Sequence, residues 1–254
     1  MNEILRMWKY PKMILLTALI AVLYGAVLIP FKSIVLVPGF TELRPGSAFP
    51  VVAGLLFGPA GALGSAFGNL IGDLFGTFGW GSLFGFFGNF ALATVPYKLW
   101  DKLGLQRNRA TLHPESSWAK AILNYLLVAT LGSLASALII PWGLALLGLQ
   151  PFALLAILIG LNNLLMTTLL GGVTYFLIHR RIHRMDLHWT RLMPPEEIRE
   201  SGDHRKEGGL LMAFSILFGF PLTLGVSLLG YPMGVLIIGA LAIGGILIGA
   251  LLQR

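Results

Sequence analysis

The chain has 254 residues, 56% of them hydrophobic and only 11% charged, with a mean hydropathy of +0.80. That balance describes a polytopic membrane protein and excludes an ordinary soluble domain. The net charge of +7 sits on basic residues at the ends of apolar runs, which speaks for membrane topology and against nucleic acid, and the lack of cysteine excludes disulfides, thiolate metal sites and cysteine nucleophiles.

The opening MNEILRMWKYPK leads into an apolar run of spanning length without a small-x-small cleavage site, so it reads as an anchor and not a signal peptide. The first span covers roughly 13–29 and is closed by Pro30. Thr17, Ala21 and Gly25 lie four apart in it, a small-residue seam suited to close packing against another helix of this chain or of a partner. Residues 31–46 are too polar and too broken to cross a bilayer. This outer loop carries Lys32, Glu42 and Arg44 and is punctuated by Pro38-Gly39 and Pro45-Gly46, as a tether or a lid would be.

From 47 to 77 the chain is apolar but interrupted at Gly58-Pro59. Two short spans, 48–57 and 60–75, joined by a tight turn are expected there, with one long helix as the rival. The second short span carries Gly64, Gly68, Gly72 and Gly76 in one row and Ser65, Asn69, Asp73 and Thr77 in the next, all at a spacing of four. On a helix each row shares a face. A groove that another backbone can approach therefore runs beside a polar stripe. Carboxylates and amides are expensive in a membrane and mark a functional site.

A turn at 76–81 holds Trp80, whose amphipathic ring suits the membrane interface. The fourth span, 82–96, carries Asn89, and the polar loop after it holds Lys98, Lys102, Arg107 and Arg109. The fifth span, 119–147, is long enough to bend, with Pro141 as its natural kink. The sixth, 152–178, contains Asn162 and Asn163, and adjacency predicts that at least one of the two points away from any shared site. Residues 179–208 are polar and hold seven Lys/Arg and four of the five histidines. Two uncharged apolar runs, 210–229 and 233–252, then form a hairpin around Gly230-Tyr231-Pro232, suited to facing lipid or packing against a partner.

The expected architecture is an all-α integral membrane protein of eight spans. It divides into a six-helix domain (1–180), a cytoplasmic linker (181–208) and a terminal transmembrane hairpin (209–254). With the N-terminus inside, this arrangement puts 16 of the 18 Lys/Arg on the inner side and only Lys32 and Arg44 outside. Both termini are then cytoplasmic, in a multi-pass protein of the cell membrane. Merging the two short spans would spoil the asymmetry.

Enzyme chemistry finds no foothold. The chain has no Gly-Lys pair, hence no Walker A motif, and no histidine inside a span. His179 and His183 are four apart, but among Arg180, Arg181 and Arg184 they read as an interfacial basic cluster and not a metal site. No catalytic residue, metal or cofactor is expected. What remains is an outer polar constellation: Glu42, Arg44, Asn69, Asp73, Trp80 and Asn89, with Asn162 and Asn163 as a further wall. Carboxylates and amides supply donors and acceptors to a flat heterocycle, and an indole can stack on it. The same groups also suit an Arg44–Asp73 ion pair pinning the loop, with asparagines bridging helices.

The run ELRPGSAFPVVAGLLFGPAGALGSAFGNLIGDLFG, followed by GSLFGFFGNFALATVPYKLW, comes after a small-residue first span and a long outer loop. In that order it resembles the substrate-binding S-component of energy-coupling factor (ECF) transporters. It is most similar to members associated with queuosine precursors and to relatives of unassigned substrate, over roughly residues 10–180. The resemblance implies a six-helix membrane protein that captures a vitamin-like micronutrient at the outer side, under the loop that holds Glu42 and Arg44. It also implies a transmembrane coupling subunit meeting the first helix at Thr17, Ala21 and Gly25, and two ATPase subunits that supply the energy. The terminal hairpin departs from the six-helix form. A self-sufficient secondary transporter using Asp73 as its coupling carboxylate, or a membrane scaffold without a ligand, are the other readings.

Overall fold

The computed structural model describes residues 2–38, 41–76, 78–103, 118–194, 197 and 205–253. A short helix α1 (Asn2–Arg6) precedes α2 (Pro11–Leu28). The loop after α2 contains a two-stranded ribbon, β1 (Val35–Val37) against β2 (Thr41–Glu42), with Val35 opposite Glu42. The helices that follow are α3 (Ala48–Asp73), α4 (Trp80–Leu99), α5 (Trp118–Leu146), α6 (Phe152–Met166), α7 (Gly172–Arg184), α8 (Trp189–Leu192), α9 (Arg205–Leu228) and α10 (Pro232–Leu252). Among the described residues six helical stretches are long and apolar enough to cross a membrane: α2, α3, α5, the run from α6 into α8, α9 and α10. The protein is thus an all-α, multi-pass membrane protein. The 20-residue α4, which carries Ser82, Asn89 and Lys98, is not among the six.

Within α3 the chain folds back on itself. Gly58 adopts φ 53°, a left-handed conformation that glycine takes without a Cβ clash, and Pro59 follows it. A straight helix of 26 residues would separate its ends by about 39 Å. Instead Arg44, just before α3, touches Asn69 and Asp73 near its end. A Cβ on Gly61 would lie only 2.1 Å from the carbonyl oxygen of Ala53. The two halves therefore form a hairpin, with its turn at the expected Gly58-Pro59 and pressed against the indole of Trp189.

The glycine row explains how the second half of α3 meets α2. Cβ atoms on Gly64 and Gly68 would come within 2.8 Å of the carbonyl oxygens of Thr17 and Ala21, and one on Gly25 within 2.7 Å of Ile71. The seam of Thr17, Ala21 and Gly25 is thus filled by this chain's own α3 and is buried. This corrects its expected use as the contact with a partner subunit. The exposed face of α2 carries Ala18 and Ala26 among Ile14, Leu15, Leu19, Val22, Leu23 and Val27.

The sixth expected span runs on past residue 178. A π turn, Thr167–Gly171, joins α6 to α7, and the hydroxyl of Tyr125 donates to the Thr167 carbonyl at 2.8 Å. His179 and His183 therefore sit at a helix end, as their spacing of four suggested. The terminal hairpin does not simply face lipid: Met212, Ile216, Phe220, Val235 and Ile246 share one core with Leu92, Leu131, Leu138 and Leu155. Lys98, expected in a loop, lies in the last turn of α4 and is fully buried. Its ammonium pairs with Glu3 at 2.8 Å and donates to the carbonyl of Gln253 at 3.4 Å, while Lys102 reaches the Gln253 side chain. The start of the described chain, the basic end of α4 and the end of α10 meet at one end of the bundle.

Candidate functional site

The other end of the bundle holds the polar stripe of α3. The hairpin returns Asn69 and Asp73 beside the segment that leads into α3, so Arg44 faces them. Its Nη2 donates to Asn69 Oδ1 at 2.7 Å and lies 3.8 Å from Asp73 Oδ1. Asn69 Nδ2 donates to Asp73 Oδ2 at 2.9 Å, one helical turn on. From α4, Asn89 Nδ2 donates both to Asn69 Oδ1 and to the carbonyl of Gly85, each at 2.9 Å. Gly85 leaves room for this, since a Cβ there would come within 2.7 Å of Asn69 Nδ2. Asn69, Asp73 and Asn89 are all buried.

Asn162, on α6, accepts the backbone N–H of Arg44 at 3.2 Å, and Asn163 Nδ2 donates to Ser136 Oγ on α5 at 3.3 Å. Both asparagines line one cavity together with Arg44, Asn89 and Ser136, and with Ile140 and Ile159 as its apolar wall. The expectation that one of the pair must turn away is corrected. Adjacent helical positions are about 100° apart, and a chamber wedged between α5, α6 and the Arg44 segment takes in both. As it stands the chamber has room for about one water molecule.

One expected residue stands apart from this cluster. Trp80 begins α4 and is 76% exposed. Glu42 pairs with Val35 through its backbone, and its side chain lies outside the described residues, as does Thr77 of the polar stripe. The sequence reading missed Tyr24 and Ser136. The Tyr24 hydroxyl donates to Asn89 Oδ1 at 2.7 Å while its ring stacks on Phe49. A phenol inside an apolar span, next to Gly25, was the signal available for it.

Chemically the site is a buried set of one guanidinium, one carboxylate and four amides. Among the described residues no nucleophile is paired with a base there. At the opposite end the imidazoles of His179, His183 and His188 lie in a row, with ring centroids 4.5 and 4.2 Å apart. The last two rings are stacked, so their in-plane lone pairs do not converge on one point.

The fold is thus of the class of multi-pass α-helical membrane proteins, with a small buried polar chamber at one end of the bundle. The family described as QueT transporter matches residues 14–180, well over half of the chain. The chain belongs to this family, S-components of ECF transporters for queuosine precursors, in agreement with the resemblance read from the sequence. Comparison with curated proteins gave no match, and comparison with solved structures gave none either.

Proposed function

We propose that the chain is the substrate-capture subunit of an ECF importer. It binds a queuosine-precursor-like or vitamin-like small molecule at the outer side of the cell membrane, and a separate coupling subunit with two ATPase subunits drives uptake. The observation that carries this reading is the chamber lined by Arg44, Asn89, Asn162 and Asn163, with Asn69 and Asp73 bonded to Arg44 behind it, at the bundle end away from Lys98 and Lys102. In a low-dielectric setting such groups are costly to keep even when they satisfy one another, and a polar ligand that exchanges with their mutual hydrogen bonds gives them a use. Arg44, Asn69, Asp73, Asn89, Asn162 and Asn163 form the binding wall, and Glu42 and Trp80 join from the rim as the outer loop closes.

The chain crosses the membrane eight times, the halves of α3 counting as two, with both termini cytoplasmic. The positive-inside balance and the meeting of Glu3, Lys98 and Gln253 at one end support this. Residues 1–180 form the capture domain, 181–208 a linker and 209–254 an added hairpin. Because the hairpin packs on α5 and α6, whereas α2 packs on α3, it leaves the outer face of α2 open to the coupling subunit.

The test is native mass spectrometry of the detergent-purified chain with queuosine precursors and vitamins, alongside affinity purification with co-expressed coupling and ATPase subunits. One bound heterocycle in the wild type, lost in Asp73→Ala, together with recovery of the subunits, is expected. No binding by any candidate and no recovered subunit would overturn the reading, and uptake by the chain alone that depends on a pH gradient would replace it with secondary transport.

A further inference from the structure

The end of α7 carries three guanidiniums on one side. At about 100° per residue, Val173, Leu177, Arg180, Arg181 and Arg184 fall within an arc of about 100°. All five are exposed, Val173 by 63% and Leu177 by 74%. Tyr175 and His179, on the opposite side of the helix, are buried. Tyr175 meets Trp100 edge-on with ring centroids 5.4 Å apart, which places the arc at the bundle end of Lys98. One outward stripe thus passes from hydrocarbon side chains to cations within about three turns.

The neighbouring helix adds to it. The guanidinium of Arg180 lies 5.2 Å from the ring of Trp118, the first residue of α5, and that indole is 54% exposed and packs on Phe176 at 6.1 Å. Lys120, two residues on, is exposed as well. Among the described residues no carboxylate pairs with Arg180, Arg181 or Arg184. Positive charge beside a span serves topology wherever around the helix it falls. Topology therefore explains the sign of these residues and not their gathering on the exposed arc, at spacings of three and four where like charges repel. An anion held among them removes that repulsion, and the planar guanidinium fork matches a phosphate.

We infer that this arc binds the headgroup of an anionic phospholipid, its phosphate held by Arg180, Arg181 and Arg184 and its acyl chains lying along Leu177 and Val173. The apolar continuation of the stripe selects the source. A soluble phosphate would use the arginines and leave Leu177 and Val173 idle, whereas a phosphodiester on a hydrocarbon tail uses both. Trp118, an amphipathic ring beside Arg180, marks the level of the headgroups.

The test reconstitutes the full chain in nanodiscs of equal parts phosphatidylglycerol and phosphatidylcholine and reads the retained lipid by native mass spectrometry. The wild type is expected to favour phosphatidylglycerol about fivefold or more, the worth of at least one basic residue at an anionic surface. The triple variant Arg180→Gln, Arg181→Gln, Arg184→Gln is expected to lose that preference. No preference in the wild type, or an equal one in the variant, overturns the proposal. So does displacement of the lipid by inorganic phosphate, which would make the site one for a soluble anion. Weaker recovery of coupling and ATPase subunits by the variant, without any lipid preference in the wild type, would assign the arc to a protein contact and overturn it too. Should the triple variant not fold, the emission of Trp118, taken as the difference between wild type and Trp118→Phe, decides. A spectrum that shifts between phosphatidylcholine and phosphatidylglycerol vesicles supports the site, and identical spectra overturn it.

Discussion

The guanidinium of Arg44 donates to Asn69 Oδ1 at 2.7 Å, across 25 residues of chain that travel away to Gly58 and back. One hydrogen bond thus reports three things: the hairpin in α3, the position of the outer segment and the polarity of the chamber. Asp73 lies beside the pair, 3.8 Å from the same nitrogen.

Removal of that carboxylate leaves the guanidinium in a buried setting with fewer compensating charges. Asp73→Ala is expected to lower stability by roughly 3 kcal/mol, the scale on which breaking a buried ion pair acts. It is also expected to weaken ligand binding about 10- to 100-fold, the loss of one or two charged hydrogen bonds. Thermal unfolding in detergent and ligand titration read the two effects separately. An unchanged midpoint and affinity would remove Asp73 from the site.

Backbone approach makes Gly54 intolerant. A Cβ there would sit 2.2 Å from the carbonyl oxygen of Ala93, an atom of α4 that cannot swing aside. Gly54→Ala is expected to destabilise by about 1–3 kcal/mol, whereas Gly79→Ala, with nothing within 4 Å of its new Cβ, leaves the unfolding midpoint near the wild-type value. Equal midpoints in the two variants would contradict the close packing of α3 on α4.

Gly58→Ala meets two obstacles, a left-handed φ and the indole of Trp189, 2.5 Å from the added atom. A loss of about 1–3 kcal/mol is expected from the backbone alone. Trp189→Ala in the same background relieves only the steric part, so the double variant stays below Trp189→Ala in stability. If the two midpoints coincide, Gly58 is not held left-handed.

Burial pushes the Glu3 carboxyl up, but the Lys98 ammonium beside it outweighs that and holds the pKa at about 2, against an ordinary 4.5. A depressed carboxylate stabilises fully above its unfolded pKa and loses that contribution as pH falls through the folded one. The contact between α1 and α4 is therefore at full strength above about pH 4.5 and weakens between about 4.5 and 2. Glu3→Gln should lower the midpoint near neutral pH, by roughly 3 kcal/mol in stability. It should also flatten the acid limb of a midpoint-against-pH curve. An acid limb identical to the wild type's would show that Glu3 does not carry it.

Spacing along one helix was legible in the sequence because a helix converts it directly into a face. The rows Gly64-Gly68-Gly72 and Ser65-Asn69-Asp73 and the break at Gly58-Pro59 all belong to that kind of information. Which neighbour each face meets is a property of tertiary packing. So the Thr17-Ala21-Gly25 seam met this chain's own glycines, Asn162 and Asn163 flanked one chamber, and Trp80 stood out in the open. Lys98 eluded the reading for a related reason. A lysine one turn from a helix end is ordinarily a topological charge, and only the fold brings Glu3 to it.

The π turn at Thr167–Gly171 has a geometric consequence. The buried positions Ile159, Asn163, Thr167, Gly171, Tyr175 and His179 recur every four residues, and on a helix of 3.6 residues per turn such a row precesses by about 40° at each step. The wider turn, placed in the middle of the row, gives back part of that rotation. The buried row thereby spirals less around the long helix than it would on a regular one. Deleting one residue within 167–171 would swing Tyr175 and His179 outward by about a quarter turn while Asn162 and Asn163 stayed at the chamber.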